Sequence, residues 1–372
     1  MPVKMKYPSL WKSNIAADYK FGDGWVATVE LLYSKDINAI YHDNIGLYRT
    51  EQFVNDGGAG NARPYYNGYY SDREGNQKAA NHVVMLRNTS KGHSLYTTFQ
   101  LQKNFVDGIL KGLYLNGSYS FGQSRGVTDG TSSVATSAWK YRAALDGNAE
   151  EVGYTAGSFD GRLLLSASYT ANWSKYAATS FGLIYQRYRP FRYSYCYNGD
   201  ANGDSQFSND LMYIPANFDE VKDHLLPGDF DSQEDAWKAM NAFIEQDPYL
   251  SKHRGEYAER NGAVAPFANQ LDLSVSHDIK IYQKNGRSHT LRFSFNIANF
   301  LNLLNRNWGV VQTTVLGNQQ YQFLTIPKGQ GPSAANNYTL KYTMAKDLDE
   351  TFKDNLNDVS RWQMQFGIKY IF

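Results

Sequence analysis

Cysteine is almost absent from these 372 residues, with Cys196 as the sole example. An internal disulfide and a cysteine-based zinc site are therefore excluded. No run approaches 18 consecutive apolar residues, and mean hydropathy is −0.55. A membrane-spanning helix is thereby excluded as well. Neither sign of charge dominates, since the net charge is +1. No global electrostatic pull toward nucleic acid or anionic lipid follows, and no nucleic-acid partner is expected. Nucleophile-elbow and Walker A patterns are missing. So are the H-E-x-x-H and H-x-x-E-H groupings, because His42, His82, His93, His224, His253, His277 and His289 are scattered. Gly57-Gly58-Ala59-Gly60 has no following lysine and reads as loop. An enzyme is not expected. Met1-Pro2-Val3-Lys4 is not followed by the apolar stretch of a secretory signal.

What is abundant is aromatic: 15% of the chain, led by 29 Tyr. The closing run R-W-Q-M-Q-F-G-I-K-Y-I-F shows how the aromatics are placed. Trp362, Met364, Phe366, Ile368, Tyr370 and Phe372 alternate with a mostly polar set. Successive side chains of a strand point to opposite faces, so this is an amphipathic strand ending on Phe. Trp362, Phe366, Tyr370 and Phe372 resemble the C-terminal signal by which outer-membrane β-barrels are recognised for assembly. The alternative is an edge strand of a soluble sandwich.

Recurrence favours the barrel. Period-2 alternation predicts nine strands: Trp11–Lys20, Trp25 to about Ile40, His93–Phe105, Lys111–Gly122, Gly161–Trp173, Lys175–Tyr188, Gln270–Tyr282, Ser288–Phe300 and the C-terminal strand. Most have ten or more residues. That is enough to cross a bilayer when tilted, and longer than the usual strand of a soluble protein. A polar lumen and polar loops reconcile a transmembrane barrel with the low hydropathy, and interface girdles account for the tyrosine.

The connections alternate in length. Phe21-Gly22-Asp23-Gly24, Asp107-Gly108, the junction at Ser174 and Asn285-Gly286 read as tight turns. Residues 41–92, 123–160, 189–269 and 301–359 are long loops. Short turns on one side and long loops on the other follow the outer-membrane barrel rule, with the long loops outside the cell. The predicted class is therefore all-β, an antiparallel transmembrane β-barrel with long extracellular loops. Nine is odd, whereas bacterial single-chain barrels have even strand counts. The chain accordingly reads as the C-terminal part of a larger barrel, unless a strand near residues 1–10 or inside a loop is hidden from the pattern.

Opposite the apolar face lie Glu30, Arg162, Ser166, Ser168, Asp272, Ser274, Ser276, Asp278, Arg292, Ser294, Gln363 and Gln365. These suit a wet lumen, where charges pair across strands, hold a plug or tune selectivity. His277 falls on the lipid side without an evident reason.

Three loop features could carry chemistry. Asp200, Asn202, Asp204, Gln206 (through its carbonyl), Ser208 and Asp210 place oxygens at alternate positions, the layout of a Ca²⁺ loop. Ser205 replaces the usual Gly, and Leu211 sits where a bidentate Glu belongs. The alternative is a solvated Asp/Asn/Gly loop. No other cofactor is indicated. Asp231 and Glu234 resemble a capping box, and Trp237, Met240, Phe243 and Ile244 follow at helical spacing, predicting a short helix inside 189–269. Tyr65, Tyr66, Tyr69 and Tyr70 crowd the first loop, where they either stack on a ligand or order the loop.

Several stretches are similar to the C-terminal barrel of TonB-dependent outer-membrane receptors of the Bacteroidetes type, close to the Oar-like branch. They are W-V-A-T-V-E-L-L-Y-S-K-D-I-N from Trp25, N-D-L-M-Y-I-P from Asn209, and D-P-Y-L-S-K-H-R-G-E-Y-A-E-R-N-G from Asp247. The fourth is F-N-I-A-N-F-L-N-L-L-N from Phe295, before Trp308-Gly309. The resemblance implies a plugged barrel of about 22 strands, of which residues 1–372 are the last nine, with plug and early strands absent. It also implies TonB-dependent transport of a bulky nutrient: oligosaccharide, peptide or chelate. The partners it implies are outer-membrane lipid, the barrel assembly machinery, TonB through the parent's plug, and a surface lipoprotein. A small passive porin or structural barrel is the alternative.

Overall fold

The structure, a computed structural model, describes residues 5–54, 63–69, 83–130, 132–282, 288–316, 320–327, 331–332, 340–342 and 350–372, with backbone only at 68, 69 and 340. Nine strands form one antiparallel meander. They are β1 (Leu10–Phe21), β2 (Trp25–Asp36), β3 (His93–Asn104), β4 (Leu113–Gly126), β5 (Arg162–Ser174), β6 (Ala177–Tyr188), β7 (Ala268–Tyr282), β8 (Ser288–Ala298) and β9 (Gln363–Ile371). Each pairs with its sequence neighbour, and Gly153–Tyr154 adds a short strand beside β4. The path is open, with β1 and β9 as its edges. Strictly alternating direction means that both edges run the same way.

All nine predicted strands are found, with ends displaced by a few residues. The largest difference is in the second, which stops at Asp36; Ala39–Asn44 is a separate strand paired with Val84–Thr89. The eighth stops at Ala298 because Asn299 turns into the left-handed region at φ 53°. Its amide N–H donates to Asp272, and its side chain donates to the Gly309 and Ser360 carbonyls. Helix α3 (Phe300–Leu304) follows; α1 (Ala135–Lys140) and α2 (Gln233–Gln246) lie in other loops. The Asn285-Gly286 turn and Gly57 to Gly60 lie outside the described residues.

The strands are regular because their two faces meet different surroundings. Phe99 is 48% exposed and Phe366 is 65% exposed, and Leu101, Tyr119, Phe181, Leu183, Ile279 and Ile368 share their outward face. The opposite face carries hydroxyls, amides and paired charges. Arg292 donates twice to Asp278, at 2.6 and 2.8 Å, across the β7–β8 ladder. Asn14 donates to Glu30 and Thr28 donates to Asp18 across β1–β2. Among the described residues, only Ala171, Ala178, Ala268 and Ile297 are buried hydrophobics belonging to the sheet. Apolar area left open on this scale is rare on soluble monomers. His277 is accounted for locally, since Nδ1 lies 2.8 Å from the Thr179 hydroxyl, which also accepts from Trp173 Nε1.

The hydrophobic core sits instead in the connections. Val54, Tyr65, Tyr193, Tyr195, Met212, Ile214, Met240, Phe243, Phe323 and Tyr342 belong to one buried cluster drawn from several long loops. No described helix is long and apolar enough to cross a membrane.

Candidate functional site

The 200–210 segment folds into a knot of side-chain turns. Asp200 accepts from the backbone N–H groups of Asn202, Gly203 and Ser205. Asn202 Oδ1 accepts from Asp204 N, and Asp204 Oδ1 accepts from Gln206 N. Ser205 and Ser208 take left-handed backbone, with φ of 64° and 81°. Ser205 thus adopts the conformation for which Gly would be chosen. Asp204 and Asp210 are fully buried, Asn202 and Gln206 are buried, and Ser208 is half-buried. Burial, with the charges of Asp210 and Asp200, lifts the Asp204 carboxyl well above the usual carboxylate range. Burial also lifts Asp200, against the pull of its backbone donors. Among the described residues, no three acidic, His or Cys side chains converge as a metal site.

Asp210 is turned to a different partner. Its Oδ1 lies 3.2 Å from Arg63 Nη1, and its Oδ2 accepts from Ala201 N. Arg63 also donates to the Leu211 carbonyl and lies 5.6 and 5.5 Å from the Tyr197 and Tyr257 ring centres. The first long loop is therefore bound to the third by a buried ion pair. A backbone bond from Tyr66 N to Asn202 O, 2.7 Å, runs alongside it. Gly203, at φ 81°, lets these backbones approach: a Cβ there would stand 2.0 Å from the Tyr66 carbonyl oxygen.

Tyr65 and Tyr66 order the loop. Both are buried, and the Tyr66 hydroxyl donates to Asp146 at 2.7 Å. The Tyr69 side chain and Tyr70 lie outside the described residues.

Three more arginines gather carbonyl oxygens: Arg142 within the second long loop, and Arg260 and Arg192 between the second and the third. Arg142 reaches Val127, Asp146, Gly147 and Ala149. Arg260 reaches Gly126, Val127 and Gly153, and Arg192 reaches Ser158 and Asn261. Burial and the neighbouring Arg260 charge push Arg142 down to about 10. A planar fork of five donors suits such multiple acceptors, whereas lysine offers only a point charge.

Asp247 is the second hub. Its Oδ2 accepts from Tyr195 and Thr351 hydroxyls at 2.6 and 2.7 Å. Its Oδ1 accepts from Tyr249 N and Leu250 N. Tyr193, Tyr195, Tyr321 and Phe323 pack around it in edge and tilted contacts. Helix α2 closes the cluster with Ala236, Met240, Phe243 and Ile244, so its apolar stripe is loop packing. Its cap is displaced one residue from the expected pair: Ser232 accepts from Asp235 N, rather than Asp231 pairing with Glu234. Periodicity found α2. It does not single out Asp247 or the Arg cluster.

Along β9 the exposed aromatics run from the long-loop end to the turn end: Trp362 just before the strand, Phe366 at its middle, and Tyr370 and Phe372 at the turn end. Phe366 faces Phe295 across the ladder, Tyr370 lies 2.6 Å from His289 Nδ1, and Tyr370 stacks on Phe372. No protein-family model matches the chain, and no match to a curated protein or a solved structure is found.

Proposed function

We propose that this chain is wall and outer loops of an outer-membrane β-barrel of the TonB-dependent receptor kind, serving capture and uptake of a bulky nutrient. The observation carrying the reading is the separation of cores. The sheet leaves one whole apolar face open, while the loops on one side pack into a folded assembly of their own. Lipid covers such a face as water cannot, and the backbone groups of the seven inner strands are satisfied within the sheet, while those on the outer sides of the two edge strands call for further strands. Same-direction edges call for an odd number of further antiparallel strands before the wall closes. A folded, arginine-clipped loop assembly suits a receptor that presents a shaped surface to a large ligand. No covalent chemistry is involved.

Two experiments test this. A membrane-impermeant maleimide applied to intact cells should label Phe207→Cys, on an exposed loop position, and spare Ile109→Cys at the turn end. Native Cys196 is buried and needs no removal. Equal labelling would end the membrane assignment. Uptake that collapses with a protonophore supports the energised receptor; uptake indifferent to it supports the passive barrel.

A further inference from the structure

At the turn end of the wall, lysines stand over aromatic rings, with Asp23 and Asp107 as the acidic residues of the adjoining turns. Lys103 lies on the outward face in line with Phe99 and Leu101, opposite Trp25 in the β2–β3 ladder. Its Nζ is 5.1 Å from the Trp25 ring centre and 4.6 Å from that of Phe105. Phe21 stacks on Trp25 and Tyr19 on Phe21, extending an outward aromatic row. The adjoining turn then exposes Val106, Ile109 (98%) and Leu110 beside Lys111. The next turn repeats the arrangement: Lys175 Nζ lies 4.8 Å over Tyr176, between exposed Trp173 and Tyr282. Among the described residues, Lys103, Lys111 and Lys175 have no carboxylate ion-pair partner.

We propose that these two turns bind the phosphate of anionic phospholipid in the leaflet at the turn end, with Lys103 and Lys175 as its contacts. The inference rests on the membrane reading above. An ammonium held over aromatic rings retains donors for an oxyanion, and aromatic residues at this level occupy the headgroup zone. Exposed Val106, Ile109 and Leu110 match the acyl boundary just inside it. An acidic protein is the poorer fit, because Lys103 shares the face that lipid covers.

The test uses the protein assembled in its outer membrane, extracted with surrounding lipid into polymer discs. The discs are exchanged against vesicles of phosphatidylcholine with phosphatidylglycerol, and the retained lipids are quantified. A lysine near a charged surface favours anionic lipid by about fivefold. The expected result is that enrichment of phosphatidylglycerol falls by about that factor in Lys103→Gln, and again in Lys103→Gln/Lys175→Gln. If Lys103→Gln fails to assemble, Lys175→Gln alone carries the comparison. Equal retention of both lipids, or enrichment unchanged in the variants, overturns the inference while leaving the barrel intact. Failure of the wild-type protein to enter the membrane fraction would instead overturn the membrane reading.

Discussion

The Arg63 guanidinium and the Asp210 carboxylate meet at 3.2 Å with neither side chain exposed. They join two loops whose residues stand 147 positions apart in the chain. Removing one partner strands the other charge in the interior, which typically costs about 3–5 kcal/mol. Arg63→Met and Asp210→Asn should each open the first loop to protease. Arg63→Met/Asp210→Asn should recover much of the resistance. A double variant as fragile as either single one would show that the pair is not the joint.

The acidic turn should respond to pH with a defined sign. Asp204 has a folded-state carboxyl raised by burial and by its acidic neighbours. The folded loop therefore holds its proton to higher pH than the unfolded chain. Stability is greatest below the unfolded value near 4 and falls as pH rises toward the folded one. Asp204→Asn removes the charge while keeping an acceptor for the Gln206 N–H. Its denaturation midpoint should exceed the wild type's at neutral pH and converge with it in acid. A variant less stable at neutral pH would refute this.

Calcium is separable from that effect. Asp200 is already engaged by three amides and Asp210 by Arg63. We expect Ca²⁺ to bind no tighter than the weak extracellular class, about 10⁻⁴ to 10⁻³ M. Calorimetric titration of wild type against Asp200→Ala/Asp204→Ala reads this directly. A markedly tighter heat that the double variant lacks would contradict the expectation.

The proposed membrane assignment makes a positional prediction. Phe295 and Asn296 are consecutive in β8, with Phe295 opposite Val275 and Phe366, and Asn296 opposite Ser274 and Gln365. Arginine at mid-bilayer on the outward face costs about 2–4 kcal/mol. Phe295→Arg should lower the assembled fraction in the outer membrane, whereas Asn296→Arg should be tolerated. Equal tolerance would remove the assignment of faces.

The chain's own pattern determined the wall. A strand with one apolar and one polar face must alternate at every step, so a one-dimensional sequence records it. Trp25, His93 and Ser288 begin strands where the alternation begins. The pattern overran at Ile40 because a second ladder, Ala39–Asn44 with Val84–Thr89, resumes after a break of two residues. Helix α2 was legible for the same reason, a period matched to one buried face.

Only the tertiary structure decided the loops. Arg63 with Asp210 and Asp247 with Thr351 are meetings of distant segments, and no local period encodes such a contact. The same oxygens that read as a cation loop are largely satisfied by backbone N–H groups and one guanidinium. The tyrosines of residues 65–66, on a short strand paired with Leu47–Phe53, turned inward because their rings pack that hairpin against the other loops. Patterning sets what each residue prefers to face; which polar groups find one another is settled only when the chain has closed around them.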